Sequence, residues 1–421
     1  MTGSRRRHAT HVSRRASRRR VGLVAGLLLL TACAGSDASR ASTTVTIDTL
    51  PGGIPRVMST EPAEPGRWSL VLERTVQPAD GDSGELLEPG DVAILDDGRV
   101  IVSERGSDAH LKVFSREGTF ERRIGRNGAG PGEFRVAYIA ARGDSVFVHD
   151  PDVGRFSEFS LVDGAFLRSE PSSCCYYGAI RFDGAGAIVL PAMGSGPDSL
   201  QSRTRTFLKA RGGAPGLDTA MVFHRPADER VVWQVGDGKT MMMLMPVPLT
   251  PQPQIAVDAG GGFVTGWSGE YLLRATRDGR DTSVLFGRSV TPGSVTGEEK
   301  TAIAERMVAR MAGRGPGVDA ASLRLAFDAG KIPDVRPAFA TLQVDAAGRT
   351  WVQRSIADST QVEFDLFDAD RRWLDTVRLP ASRWATEFGL QWIGRTHAAV
   401  VVEDEDGRPA VLVYEIRRRD G

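Results

Sequence analysis

Residues 125–134 read GRNGAGPGEF, four glycines and a proline in ten positions. The amphipathic run LKVFSREGTFERRI (111–124) precedes the stretch, and VAYIAAR (136–142) follows it. Backbone freedom placed between two strand-like segments suits either a phosphate-cradling loop or a connector between repeated units. A phosphate loop ends in Gly-Lys-Ser/Thr and opens a helix whose N-terminus faces the anion. Neither feature is present, so the connector reading stands, and it requires repeats on both sides.

Repeats are found. Ile180-Arg-Phe-Asp183 runs into a turn that ends at Gly186, and a second apolar strand begins. Ile255-Ala-Val-Asp258 with Gly261 and Leu342-Gln-Val-Asp345 with Gly348 have the same layout. Val92-Ala-Ile-Leu95 keeps the glycine as Gly98, and degenerate copies start at Arg142 and Gly394. The chemistry wanted is that of a short hairpin: Asp caps the turn with its carboxylate, and Gly supplies the positive φ that closes it. Downstream of each hairpin come further strand pairs, such as FSEFSLVDGAFLRS, YLLRATRDGRDTSVLFG and VEFDLFDADRRWLDTVRL. Each unit therefore holds four antiparallel strands.

Units of about 40–50 residues with four strands are propeller blades. A lone meander cannot bury both faces, whereas blade packed on blade can. The sequence predicts an all-β fold, a six-bladed β-propeller of four-stranded antiparallel blades. The sixth unit has only three strands before the chain ends. The unassigned strand WSLVLERTV (68–76) is expected to pair with VLVYEI (411–416) and close the last blade. A small helical insertion is expected before blade five, within about 291–335. Thr296 caps its first helix, with Glu299 three residues on, and 319–328 is a second short helix.

The junction FSREGTFERRIGRNGAGPGEF resembles the blade junctions of NHL-type six-bladed propellers. With PAFATLQVDAAGRTWV (337–352) and LPASRWATEF (379–388), the layout is similar to bacterial six-bladed propeller lipoproteins. The resemblance spans 68–416 and implies the architecture and a binding role. It carries no single activity, so no catalytic residue transfers.

The first 32 residues carry eight Arg and no acid, then VGLVAGLLLL and TAC. This is a secretory signal, with an apolar run too short for a membrane helix of about 20 residues. Leu30-Thr31-Ala32-Cys33 resembles a lipobox, making Cys33 the lipidated N-terminus and the membrane contact. Residues 33–67, rich in Ser, Thr, Pro and Gly, read as a tether, with TVTIDTL able to dock on the fold. The whole chain has 53 basic and 53 acidic residues; without the signal 45 basic remain, a net charge near −8. No basic stripe is left for nucleic acid.

An activity would sit where the inner strands begin, at the channel mouth. The expected ligand-binding set is Arg135, Tyr176, Tyr177, Arg336, Trp384 and Glu387, with Glu88 and Gln254 at equivalent positions. The helices at 297–328 are expected to form a lid beside it. No catalytic residue, metal site or cofactor is assigned. Asn127 is the single Asn, so Glu88 and Glu387 are thin support for the alternative, a metal-dependent hydrolase or lactonase. Ser103, Asp108 and His110 are close in sequence but fall on a blade edge and its turn. MMMLMP (241–246) reads as core packing. Cys174 and Cys175 form either a vicinal disulfide or two reduced thiols. The reading is an envelope-anchored lipoprotein, a binding or scaffold module for a protein, peptide or glycan on the loop-rich face.

Overall fold

The repeat turn closes as its chemistry requires. In the Asp345 turn, the Gly348 N–H donates to Asp345 O at 2.9 Å, and Gly348 has φ +79°. The Asp345 carboxylate accepts from the N–H groups of Ala347 and Arg349. Its other oxygen takes the Trp351 indole and the Arg349 guanidinium. The turns at Leu95, Asp183 and Asp258 close by the same glycine-to-first-residue bond.

The computed structural model describes residues 45–172, 178–183, 186–192, 204–210, 217–224, 232–235, 243–258, 260–278, 280–312, 319–382 and 389–420. From inner to outer strand, blade one is Pro89–Ile94, Val100–Glu104, Leu111–Phe114 and Phe120–Ile124. Blade two is Tyr138–Arg142, Ser145–Asp150, Arg155–Ser160 and Phe166–Pro171. Blade three is Arg181–Phe182, Ile188–Ala192, Thr204–Ala210 and Leu217–His224. Blade four is Pro253–Val257, Phe263–Trp267, Leu272–Thr276 and Val284–Arg288. Blade five is Phe339–Val344, Thr350–Arg354, Gln361–Phe367 and Trp373–Pro380. Blade six is Trp392–Ile393, His397–Glu403 and Pro409–Arg418, completed by Trp68–Val76. Trp68 pairs with Arg418 and Val76 with Val411, antiparallel, so the N-terminal strand closes the ring as expected.

Apolar clusters sit at the blade junctions, because each blade buries its faces against its neighbours. Ile101 and Leu111 of blade one meet Ile139, Val148 and Phe159 of blade two. Leu273 and Phe286 of blade four meet Leu342 and Phe367 of blade five. Val92 and Val102 of blade one meet Val401 and Val411 of blade six, with Val76 of the closing strand. Burying one such side chain contributes about 1.5–3 kcal/mol.

The connector 125–134 does what its glycines allow. Arg126–Asn127 pairs in parallel with Glu133–Phe134, folding the loop on itself. A Cβ on Gly125, at φ +70°, would stand 2.3 Å from the Phe134 ring. Phe134 is fully buried and meets Phe159 edge-on at 6.0 Å. Arg155 of blade two donates to the carbonyls of Ala129, Gly130 and Glu133, fixing the loop against that blade.

The tether expectation for 33–67 needs correction from Val45 onward. Val45–Leu50 and Ile54–Ser59 form a hairpin. Its second strand pairs in parallel with the outer strand of blade four, making a six-stranded sheet. The chain then crosses the edge of blade five. Ala63 and Glu64 donate to the carbonyls of Trp373 and Leu374, and Gly66 and Trp68 donate to the Asp375 carboxylate. The segment is a strap over the rims of blades four to six. The parallel pairing with blade four satisfies an otherwise open edge.

Candidate functional site at the loop-bearing mouth

Antiparallel alternation divides the ring into two faces. One carries the inner hairpins at 95–99, 142–145, 183–187, 258–262, 345–349 and 394–397, all short. The other carries every connector from an outer strand to the next inner strand. The helical insertion is on this second face. Helices α1 (Gly297–Met311) and α2 (Ala320–Ala326) occupy the connector between blades four and five. Thr296 accepts the Glu299 N–H, the cap that the sequence predicts, and Asp319 accepts those of Ala321 and Ser322.

The helices' partner is not legible from sequence. The connector between blades three and four contains a hairpin, Val232–Val235 with Met243–Pro246. Trp233 of that hairpin is fully buried among Ile303, Val308, Leu323 and Phe327. Its indole donates to Asp328 O at 3.0 Å, and its ring lies 4.9 Å from that of Phe327. Met245 packs on the same cluster. Two separate insertions thus fuse into one cap with its own core.

Arg336, expected in the ligand-binding set, stands where the chain enters blade five. It is buried and its guanidinium pairs with Glu299 of α1, tying the cap to the start of blade five. A buried arginine with a carboxylate partner is a fixture, because freeing it would leave an uncompensated charge. Arg135 is exposed on the connector into blade two, and its backbone N–H donates to Asp150 at 2.7 Å. Tyr176, Tyr177, Trp384 and Glu387 lie outside the described residues, as do Cys33, Cys174 and Cys175.

Residues that sequence reading missed stand at the mouth and down the channel behind it. Arg181 opens the inner strand of blade three. It donates to Ile180 O at 2.9 Å and to Gln391 O at 3.2 Å. Gln391 precedes the inner strand of blade six, opposite blade three in a six-membered ring, so Arg181 reaches across the channel. Arg105 follows the second strand of blade one and lies over Gly90 of the inner strand. A Cβ there would stand 2.7 Å from Arg105 Nε. The Arg105 guanidinium is 5.9 Å from the Tyr138 ring, within cation–π range. Asp91 is buried between them, and burial raises its carboxyl above the usual range, against the pull of Arg181. Its two oxygens accept the N–H groups of Val92 and Ile139 at 3.0 Å each. Burial likewise raises the Tyr138 hydroxyl, which stays a protonated donor near neutral pH.

Other polar groups are structural. The Ser103 hydroxyl accepts the Asp91 N–H at 2.7 Å, and His110 faces Asp108 rather than Ser103, so no nucleophilic triad forms. Lys112 and Glu104 form a buried pair that also binds the connector at Glu85, Leu87 and Glu88. Asp365 accepts from Tyr271 and Arg288 and locks blade four to blade five. Among the described residues no group of three His, Cys, Asp or Glu could hold a metal ion. A cleft of ≈ 80 Å³ between blades two and three has Phe147, Phe156 and Phe182 among its lining, room for little more than water.

A family described as a 6-bladed beta-propeller (DUF5128) matches residues 81–177. A member of the DUF4221 family from Bacteroides vulgatus is similar in structure at 12% identity and a TM-score of 0.50, over 84% of this chain and 99% of that one. A protein of Bacteroides fragilis inferred to be exported is 12% identical, with a TM-score of 0.47 over 87% of this chain and 99% of that one. No curated protein matches the chain. Ring, register and family likeness agree: the chain is a six-bladed β-propeller.

Proposed function

We propose that this protein is an envelope lipoprotein, anchored through Cys33, whose propeller serves as a binding or scaffold module for a protein, peptide or glycan on its loop-bearing face. The observation that carries the reading is the cap. Two insertions in consecutive connectors build one apolar core on that face, while the opposite face keeps minimal turns. Insertions in repeat proteins collect on the binding face, and a rigid scaffold lets loops hold a ligand. The signal segment and lipobox support the address. Arg105, Arg135 and Tyr138 supply aromatic area and directional donors of the kind binding hot spots use.

The test is capture from detergent-solubilised envelope by the full lipoprotein, compared with two variants. Arg135→Glu alters the loop-bearing face and Asp370→Arg the opposite face. The reading expects a captured species lost with the first and kept with the second. The reverse pattern contradicts it. Cys33→Ser should release the protein from membranes; a variant that stays bound and lipid-labelled refutes the anchor.

A further inference from the structure

Many arginines in this fold face a carboxylate. Arg288 meets Asp365, Arg349 meets Asp345, Arg371 meets Asp258 and Arg408 meets Asp404. Three at the mouth do not. Among the described residues, Arg105 and Arg135 form no ion pair, and Arg181 reaches only main-chain carbonyls. The carboxylate that both Arg105 and Arg181 feel, Asp91, is turned to backbone N–H groups instead. All of the Arg105 side-chain donors and part of the Arg181 fork are therefore open, beside the Tyr138 ring. Gly90 is the residue that lets Arg105 lie there, since any side chain would displace it.

We propose that the channel mouth binds a carboxylate group of the ligand, with Arg105 as the wall, Arg181 as the floor and Tyr138 as the flanking ring. The planar fork of a guanidinium matches a carboxylate with two parallel hydrogen bonds. Arg181, stretched across the channel, makes the site a blind cup. Glu88 and Asp152 stand exposed near its edge, so a single carboxylate on a neutral or cationic body fits and a polyanion is repelled. The proposal rests on the reading that the loop-bearing face binds ligand, and it names the chemistry that face selects.

The experiment uses the intact propeller with isotope-labelled arginine, observing the Nε–H signals during titration with benzoate and with its neutral isostere benzamide. Benzoate should shift the Arg105 and Arg181 signals saturably, and benzamide should not. Arg105→Gln, an exposed change that spares the fold, should weaken benzoate about tenfold or more, as loss of a charged hydrogen bond does. Arg123→Gln, remote on the outer strand, should leave it unchanged. Equal shifts from both probes, no shift from benzoate, or equal response at Arg123 would overturn the site. If benzoate fails while capture still depends on the loop-bearing face, the binding face stands and the carboxylate site falls.

Discussion

The two faces of the ring are built from the same strands and differ in almost everything else. On the turn face, Gly closes the inner hairpins that begin at 95, 183, 258 and 345 within four or five residues, and arginines such as Arg349 and Arg371 are tied to carboxylates. On the loop face, connectors lengthen, two of them fuse into a cap, and the Arg105 and Arg135 side chains form no ion pair among the described residues. A propeller needs only one face to close its turns. The other is then free to vary without disturbing the blade contacts that hold the ring.

That contrast presupposes a closed ring, so the largest effect should come from opening it. Deleting residues 68–76 removes the outer strand of blade six and the Val76 contact with blade one. Total stability of a domain is only about 5–15 kcal/mol. Calorimetry should therefore show loss of the cooperative transition; an unchanged melt would refute the circular pairing.

Next in size is the cap. Trp233→Ala empties a fully buried site and should cost about 3–5 kcal/mol. The cost should be local. Hydrogen exchange should quicken across α1 and α2 while blades one, five and six keep their protection. Uniform loss of protection would mean the cap is part of the blade core and the two faces are not independent.

A turn-face counterpart is smaller. Gly348→Ala introduces a Cβ at φ +79° with no neighbour within 4 Å, so the cost is backbone strain alone, about 1–2 kcal/mol. Denaturant unfolding should show that loss with no change in ligand capture. A change in capture would blur the division between the faces.

The smallest effect is a pH dependence on the loop face. His110 is buried, and burial holds its pKa below the ordinary value of about 6.5. The folded chain then binds fewer protons there than the unfolded chain. The stability of the neutral ring is full above pH of about 6.5 and is lost as pH falls below it. His110→Gln should flatten the fall in melting temperature between neutral and mildly acidic pH. An identical slope in both proteins would show that His110 does not carry it.

Much of this architecture was legible in the sequence because it is local. Asp183, Asp345 and their glycines write a turn into four residues, Thr296 and Glu299 write a helix start, and 68–76 betrays itself as a strand without a blade. The missed parts depend on distant partners. The hairpin at 45–59 pairs in parallel with a strand more than two hundred residues away, and nothing in its own pattern indicates blade four. Trp233 becomes a core residue only because the helices arrive from the next connector. Arg181 lies in a repeat position that elsewhere is unremarkable, and only the ring places Gln391 opposite it. The pairing of Arg336 with Glu299 of the cap is equally non-local.

The central claim, that the loop-bearing face is the binding face, is tested most directly by photo-crosslinking in intact cells. A crosslinking residue would replace Leu87 or Arg135 on the loop face, and Val162 or Asp370 on the turn face, all exposed. The account predicts discrete adducts from Leu87 and Arg135 and none from Val162 or Asp370. Adducts confined to the turn face, or equal from both, would contradict it.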